Sequence, residues 1–285
     1  MIHSTYRSSS TLNASDMTAL TAEQAELVAD LQRVVQGEVR FDAFTRMLYS
    51  TDASLYQIQP VGVVIPKSIE DVQATVEIAA RQRVPILARG GGSSLAGQAV
   101  GAAVVLDFSK YMDRILAVDA DAQRVTTQPG VTVAMLNRTL APLGLMLGPD
   151  PASADRATVG GCVGNNATGS HSILYGMMAD AVLAVSVVLA DGSVAPLDAP
   201  GPVAPAGPAR HNTLEGRIYR RTPEILQRVM PDILERWPKH WRRASGYNLD
   251  RLAAALLASG ERARLSYASR HRPAVCDPRR IDRFN

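Results

Sequence analysis

Three consecutive glycines, Gly90, Gly91 and Gly92, stand between Arg89 and the pair Ser93-Ser94, directly after the apolar run Val84 to Ala88. A loop without Cβ atoms lets a ligand come close to the backbone. Successive exposed N–H groups form an anion nest, and a diphosphate suits one because it carries two charges and many acceptor oxygens. Arg89 either adds charge to the nest or pairs with a neighbouring carboxylate. A glycine-rich turn with no ligand is the plain alternative. Two named phosphate loops are excluded by spacing. Gly92 and Gly97 match G-x-x-x-x-G, but Gln98 and Ala99 follow where a P-loop requires Lys and Ser or Thr. Gly90, Gly92 and Gly97 misplace the third glycine of the dinucleotide fingerprint by two residues.

A second glycine region shifts the balance towards a ligand. Gly148-Pro-Asp-Pro-Ala-Ser153 is followed by Ala157-Thr-Val-Gly-Gly-Cys-Val-Gly-Asn-Asn-Ala-Thr-Gly-Ser170, then Tyr175-Gly176. Small residues permit close packing against a large flat ligand. Ser153, Thr158, Asn165, Asn166, Thr168 and Ser170 supply donors and acceptors. A flavin ring needs this mixture, an apolar surface with hydrogen bonds along its pyrimidine edge, and donors near N1–C2 favour the reduced state. The alternative is that the asparagines only terminate helices and turns.

The elements that must hold these loops follow from periodicity. Leu27, Leu31 and Val34 predict a helix over 21–37. Val61 to Ile65 reads as a strand, and Ser68 with Asp71 resembles a capping box. Ile69, Val72, Val76 and Ala79 then form one helical face, and Val84 to Ala88 is a second strand. A β-α-β unit of this length predicts parallel pairing and a right-handed crossover. Ala103 to Leu106 is a third strand. Ile115 to Val118 and Arg124 to Gln128 predict a hairpin across Asp119–Ala122. Val133, Leu136 and Leu140 mark a helix, and residues 148–176 read as a long functional loop. Val182 to Leu189 is a strand ending at the turn Asp191-Gly192. Residues 199–209 read as a linker, and 222–258 as helix interrupted at Ser245-Gly-Tyr-Asn248.

Composition narrows the class. The chain has 285 residues, 46% of them apolar, enough for a substantial core. No run approaches the roughly 20 apolar residues that span a bilayer, and Met1 to Leu20 lacks the pattern of a signal peptide. Two distant cysteines, Cys162 and Cys276, give neither a disulfide framework nor a metal site. The expected compartment is the cytoplasm, either free or peripheral to the inner membrane face. The net charge of +3 comes from residues 261–285, where seven Arg face three acids. With no broad basic face, nucleic-acid binding is not expected.

Taken together, Tyr49-Ser-Thr-Asp-Ala-Ser54, Val63-Val-Ile-Pro66, Arg89 to Gln98, Gln128-Pro-Gly130, Gly148 to Ser153 and Thr158-Val-Gly-Gly161 through Gly176 resemble the FAD-binding domain of the vanillyl-alcohol oxidase superfamily, the PCMH-type fold. The resemblance covers about residues 40–197. It is closest to the glycolate oxidase subunit and D-lactate dehydrogenase branch, and within it to the N-terminal part of large FAD plus iron–sulfur oxidoreductases. Arg242 to Leu249 is a shorter, weaker match. The resemblance implies an α+β, two-lobed fold: a small parallel α/β lobe plus a mainly antiparallel sheet lobe with helices. It divides the chain into an N-terminal helical extension (1–39), the FAD-binding domain (40–235), and an incomplete cap region with a basic, disordered tail (236–285).

The resemblance also implies the site. Arg89, Gly90, Gly91, Gly92, Ser93, Ser94 and Gln98 would lie at the FAD pyrophosphate. Pro151, Ser153, Thr158, Gly160, Gly161, Asn166, Gly169, Ser170 and Tyr175 would line the path from adenine to flavin. Some relatives attach FAD through a histidine in the first loop; here Gly92 and Ser93 stand there, so FAD is expected to be noncovalent. His171 is expected to pack or hydrogen-bond, and Arg242 or Arg243 to cap a solvated helix end or face a carboxylate. The implied reaction is oxidation of a small 2-hydroxy acid (D-lactate, glycolate or 2-hydroxyglutarate) by hydride transfer to flavin N5. The electron acceptor would be an iron–sulfur domain or a quinone. No catalytic base and no metal ligand can be named. Only Ser259-Gly-Glu261 echoes the strand that follows the family's cap, so the chain is expected to be a truncated product lacking the substrate cap. Rival readings are a flavin-binding remnant without turnover and an NADPH oxidoreductase similar to UDP-N-acetylmuramate reductase.

Overall fold

The computed structural model describes residues 21–198, 212–240, 246–258 and 275–276. Thr21 caps α1 (Ala22–Val34) by accepting from Gln24 N, and the Gln24 side chain returns the bond to Thr21 N. Next come β1 (Glu38–Arg40) and α2 (Ala43–Leu48), the latter capped by Asp42. Then β2 (Gly62–Ile65), α3 (Ile69–Arg81), β3 (Ile86–Arg89) and β4 (Val104–Asp107) build a four-stranded sheet in the order β1-β2-β4-β3. β2 and β3 are each parallel to β4, and β1 is antiparallel to β2. The inner strands β2 and β4 are buried along their whole length, which is why they read as unbroken apolar runs. Leu27 and Leu31 of α1 and Val72 and Ile78 of α3 pack with Val64, Val104 and Leu106 on one face. Each fully buried Leu or Val there is worth about 1.5–3 kcal/mol. On the other face Val63, Ile65 and Val105 meet Tyr49, Leu87 and Tyr111.

Three sequence expectations change in this lobe. β2 and β3 are parallel but do not pair, because β4 lies between them. Ser68 caps α3, yet Asp71 does not complete a capping box. Its carboxylate accepts instead from Lys67 N and Gln36 N, at 2.8 and 2.7 Å, tying the α1–β1 turn to α3. A boundary at 39/40 also cuts through packed structure. It falls inside β1, and α1 contributes to the lobe's own core.

Glu38 of β1 accepts from Lys110, from Tyr111 Oη at 2.6 Å and from Arg40 Nη2 at 2.8 Å. The Lys110 ammonium, then Tyr111 and Arg40, hold its carboxyl down to about 2 from an ordinary value of 4.5. A depressed carboxylate pKa contributes stability above its unfolded value and loses it as pH falls through its folded one. Glu38→Gln is therefore expected to melt below wild type at neutral pH. The gap should close as pH drops from about 4.5 to about 2, which thermal melts across that window would read. A gap that stays constant with pH would contradict the assignment.

The second lobe opens with the hairpin of β5 (Ile115–Asp119) and β6 (Arg124–Thr127). Thr132 caps α4 (Val133–Leu140), whose Val133, Leu136 and Leu140 face inward. After β7 (Met146–Leu147) come three short helices, α5 (Val159–Gly164), α6 (Ser172–Tyr175) and α7 (Met178–Ala181). Residues 148–176 are thus not one loop; glycines hid the helical turns because they weaken helix propensity. β8 (Ala184–Val188) and β9 (Val194–Asp198) form a hairpin whose turn uses Gly192 at φ 83°. Among the described residues this lobe has three antiparallel pairs, the third being β7 with β10 (Val275–Cys276). The expectation of an unstructured tail therefore fails at Val275–Cys276; most of the tail, with residues 199–211 and with Arg242 and Arg243, lies outside the described residues.

Thr213 caps α8 (Leu214–Arg236), which begins two turns before the predicted helix and carries Pro223 and Pro231 within it. Leu226 and Ile233 of α8 pack against Ala253 and Leu256 of α9 (Leu249–Ala258). A boundary at 235/236 therefore cuts a helix pair. No described helix is long and apolar enough to cross a membrane.

Candidate functional site

The first loop leaves the end of β3. Among the described residues, the N–H groups of Gly91, Gly92, Ser93 and Ser94 donate to no protein acceptor, and the Ser93 hydroxyl has no partner. Backbone donors left unpaired in a folded chain require water or a ligand, and successive ones of this kind are what an anion nest is made of. Gly92 sits at φ +63°, a conformation that favours glycine.

The sequence left Arg89 two roles, and the structure shows a third. Its guanidinium donates to the carbonyls of Ala99 (2.9 Å), Thr51 (2.8 Å) and Tyr49 (3.3 Å). It also lies 5.2 Å from the centroid of the Tyr49 ring. Tyr49 Oη donates to the buried Asp107 at 2.5 Å, and burial followed by that carboxylate pushes the phenol pKa well up. Asp52 accepts from Ser54 N and Ala99 N. Burial alone would raise its pKa, but these bonds outweigh burial and hold it below the usual value. Sequence reasoning quoted the Tyr49–Ser54 motif without seeing that it buttresses the glycine loop.

The second segment meets the first at a seam. A Cβ on Gly90 would fall well under 3.0 Å from Thr158 Oγ1, and one on Gly91 equally close to the Arg156 carbonyl. These two glycines are required by contact with the protein's own second segment. Thr158, which is buried, caps α5 by accepting from Gly161 N at 3.2 Å. Gly160 packs on Pro129, and its N–H donates to the Pro129 carbonyl at 2.9 Å. Gly169 lies against the Asp150 carbonyl, which accepts from Ser170 N at 3.0 Å. Ser170 Oγ donates to the Asp150 carboxylate at 2.8 Å, and His171 Nδ1 lies 3.7 Å from that carboxylate.

The structure divides the predicted residues into two groups. Asn166 is turned into the protein: its Oδ1 accepts from Ala179 N at 2.9 Å and its Nδ2 reaches Met177 Sδ at 3.7 Å. Asn165 bonds the Gly161 carbonyl, Ser94 bonds Gln98, and Tyr175 is buried with its ring perpendicular to that of His171. Pro151 is buried beside the Asp150–Gly169 contact. By contrast, among the described residues the hydroxyls of Ser93, Ser153 and Thr168 have no protein partner. Asn166 and Asn165 thus follow the turn-ending alternative, and the open hydroxyls carry the capacity to bind. Burial pushes the Cys162 thiol up to about 11, which leaves no reactive thiolate there at neutral pH. No described group of three His, Cys, Asp or Glu residues could hold a metal.

Sequence reasoning missed one long-range tie. Arg251 of α9 grips Asp180 of α7 with both terminal nitrogens, at 2.7 and 3.2 Å. Asp180 also accepts from Met177 N at 2.8 Å, just after Gly176 at φ +84°. An acid and an arginine 71 residues apart leave no periodic signal by which to find them.

Comparison with known proteins agrees with this geometry. A family described as FAD binding domain matches residues 60–198. D-2-hydroxyglutarate dehydrogenase of Escherichia coli (strain K12) is 34% identical over 223 residues, 76% of this chain and 22% of that protein. Glycolate oxidase subunit GlcD of Bacillus subtilis (strain 168) is 35% identical over 165 residues, 56% of this chain and 35% of that one. The chain thus spans about a fifth to a third of the length of these relatives. Among solved structures, an alkyldihydroxyacetonephosphate synthase aligns with TM-score 0.55 and 25% identity, covering 64% of this chain and 35% of that one. The parallel lobe and the antiparallel hairpins are those of the PCMH-type fold. Residues 60–198 thus match the family described as FAD binding domain, and the fold they build is the PCMH-type fold of the vanillyl-alcohol oxidase family.

Proposed function

We propose that this chain supplies the FAD site of an oxidoreductase acting on a small 2-hydroxy acid of the D-lactate, glycolate or D-2-hydroxyglutarate type. The observation that carries the reading is the succession of unpaired N–H groups that includes Gly91–Ser94, held against the second glycine segment by Gly90 and Gly91. These donors would take the pyrophosphate, with Ser93 adding a hydroxyl. Ser153 and Thr168 would hydrogen-bond along the second segment, and the backbone of Gly160, Gly161 and Gly169 would keep side chains out of the way. Bound FAD supplies an acceptor for the substrate hydride at flavin N5. With no histidine in the first loop, the cofactor is held noncovalently and is released on denaturation. The group that binds the substrate carboxylate, the catalytic base and the electron acceptor would lie outside the described residues.

The test is a flavin absorption spectrum of the purified or FAD-reconstituted protein, before and after anaerobic addition of D-lactate and D-2-hydroxyglutarate. Reconstitution and bleaching by one of the acids are expected. Failure to take up FAD would defeat the reading. The same titration reads a second outcome, flavin binding without turnover. Its signature is FAD uptake with no bleaching by either acid.

A further inference from the structure

We propose that Arg89 is a positioning residue that braces the phosphate loop from behind and does not touch the cofactor phosphates. The proposal rests on the reading of Gly90–Ser94 as the pyrophosphate site. Arg89 ends β3, and its guanidinium reaches three carbonyls, those of Tyr49, Thr51 and Ala99, on two separate loops. A Cβ on Gly92 would lie 2.6 Å from Nη2, so the guanidinium fills the space directly under the loop. The strut is itself anchored. Tyr49 lies under the guanidinium and is fixed through its hydroxyl to Asp107, the residue that faces Arg89 in the β3–β4 register. Asp107 is held in turn by Ser109 N at 2.8 Å. The same two segments are cross-linked by Ala53 N donating to the Gly92 carbonyl and Ala99 N donating to Asp52. With three of its five N–H donors placed on carbonyls of the neighbouring segments, the arginine fixes where the loop's N–H groups point. The N–H groups and Ser93 are left to meet the anion.

This predicts a pattern opposite to that of a phosphate contact. A lysine keeps the charge but is a compact ammonium that cannot reach three spread carbonyls as a planar fork can. Arg89→Lys is therefore expected to weaken FAD about tenfold or more, nearly as much as Arg89→Met. ADP, which shares the diphosphate, should weaken in parallel. The dependence of FAD affinity on sodium chloride should stay as in wild type, because no charge–phosphate contact is lost. In the FAD-free protein both variants should speed hydrogen exchange at the Ala53 and Ala99 amides. Near-wild-type affinity in Arg89→Lys, with lost affinity and reduced salt dependence in Arg89→Met, would overturn the proposal. So would unchanged exchange at both amides. The exchange measurement needs no cofactor, so it decides the strut even where wild-type protein fails to bind FAD. That failure would sink the pyrophosphate reading alone.

Discussion

Gly169→Ala is expected to yield a chain that no longer retains FAD. A Cβ at that position lies well under 3.0 Å from both the carbonyl oxygen and carbon of Asp150, and 2.5 Å from Pro151 N. All three are backbone atoms, so no side-chain rotation relieves the overlap, and the two strands of chain must separate. Separation breaks the Ser170 N bond to the Asp150 carbonyl and the Ser170 Oγ bond to its carboxylate. Overpacking a rigid contact costs about 1–3 kcal/mol or more, and two hydrogen bonds are lost besides. The contrast is Gly164→Ala, in α5 of the same segment, where a Cβ meets nothing within 4 Å. That change is expected to be neutral, or to add up to about 1 kcal/mol through helix propensity. Flavin absorbance retained after gel filtration, with melting temperatures alongside, compares the two. Equal FAD retention in both variants would show that the Asp150–Gly169 approach does not shape the site.

The second large effect is expected at Arg251. This residue lies outside the span that matches the FAD binding domain, yet it ties α9 to α7. Both partner side chains are 23% exposed, which places the pair between a surface bridge worth under about 1 kcal/mol and a buried one whose breakage costs about 3–5. Arg251→Met is expected to cost about 1–3 kcal/mol, with Asp180→Asn costing a similar amount. The double variant should cost much less than their sum, because each single change already removes the shared fork. Denaturant melts of the four proteins measure the coupling. FAD affinity should fall with stability in Arg251→Met, since α7 holds Asn166 through Ala179 N and adjoins the buried Tyr175. Strict additivity would mean that the two side chains do not support one another.

The strands and the main helices were legible because burial on one or both faces leaves a period. Leu27 and Leu31 of α1, the apolar runs of β2 and β4, and the Asp191-Gly192 hairpin all carry it. The two glycine segments were legible as binding regions because glycine clusters without structural period are costly to keep. What each side chain does there was less legible. Arg89 and Asn166 have the chemistry of ligand contacts, and the fold directs them to backbone groups of their own protein. Their partners, Ala99, Thr51 and Ala179, are main-chain atoms that any residue would offer, so no partner stands out in the sequence. Strand order was also hidden. Two strands joined by a helix read as neighbours, and only the later strand shows that a place was kept between them.

That kept place has a consequence for how the chain is made. When Arg89 leaves the ribosome, the residues of β2, α3 and β3 are all out, but neither parallel strand has its inner partner in the sheet order. The gap is filled by Val104–Asp107, so the ladder cannot form until Asp107 is out. Until then two apolar edges face one another with unpaired backbone, the state most open to wrong pairing with another chain. The glycine loop is spun out during that interval, before the strand that fixes its root. The order of synthesis thus makes the phosphate loop dependent on a strand that comes after it, and a chain stopped short of Asp107 would carry the loop without its footing.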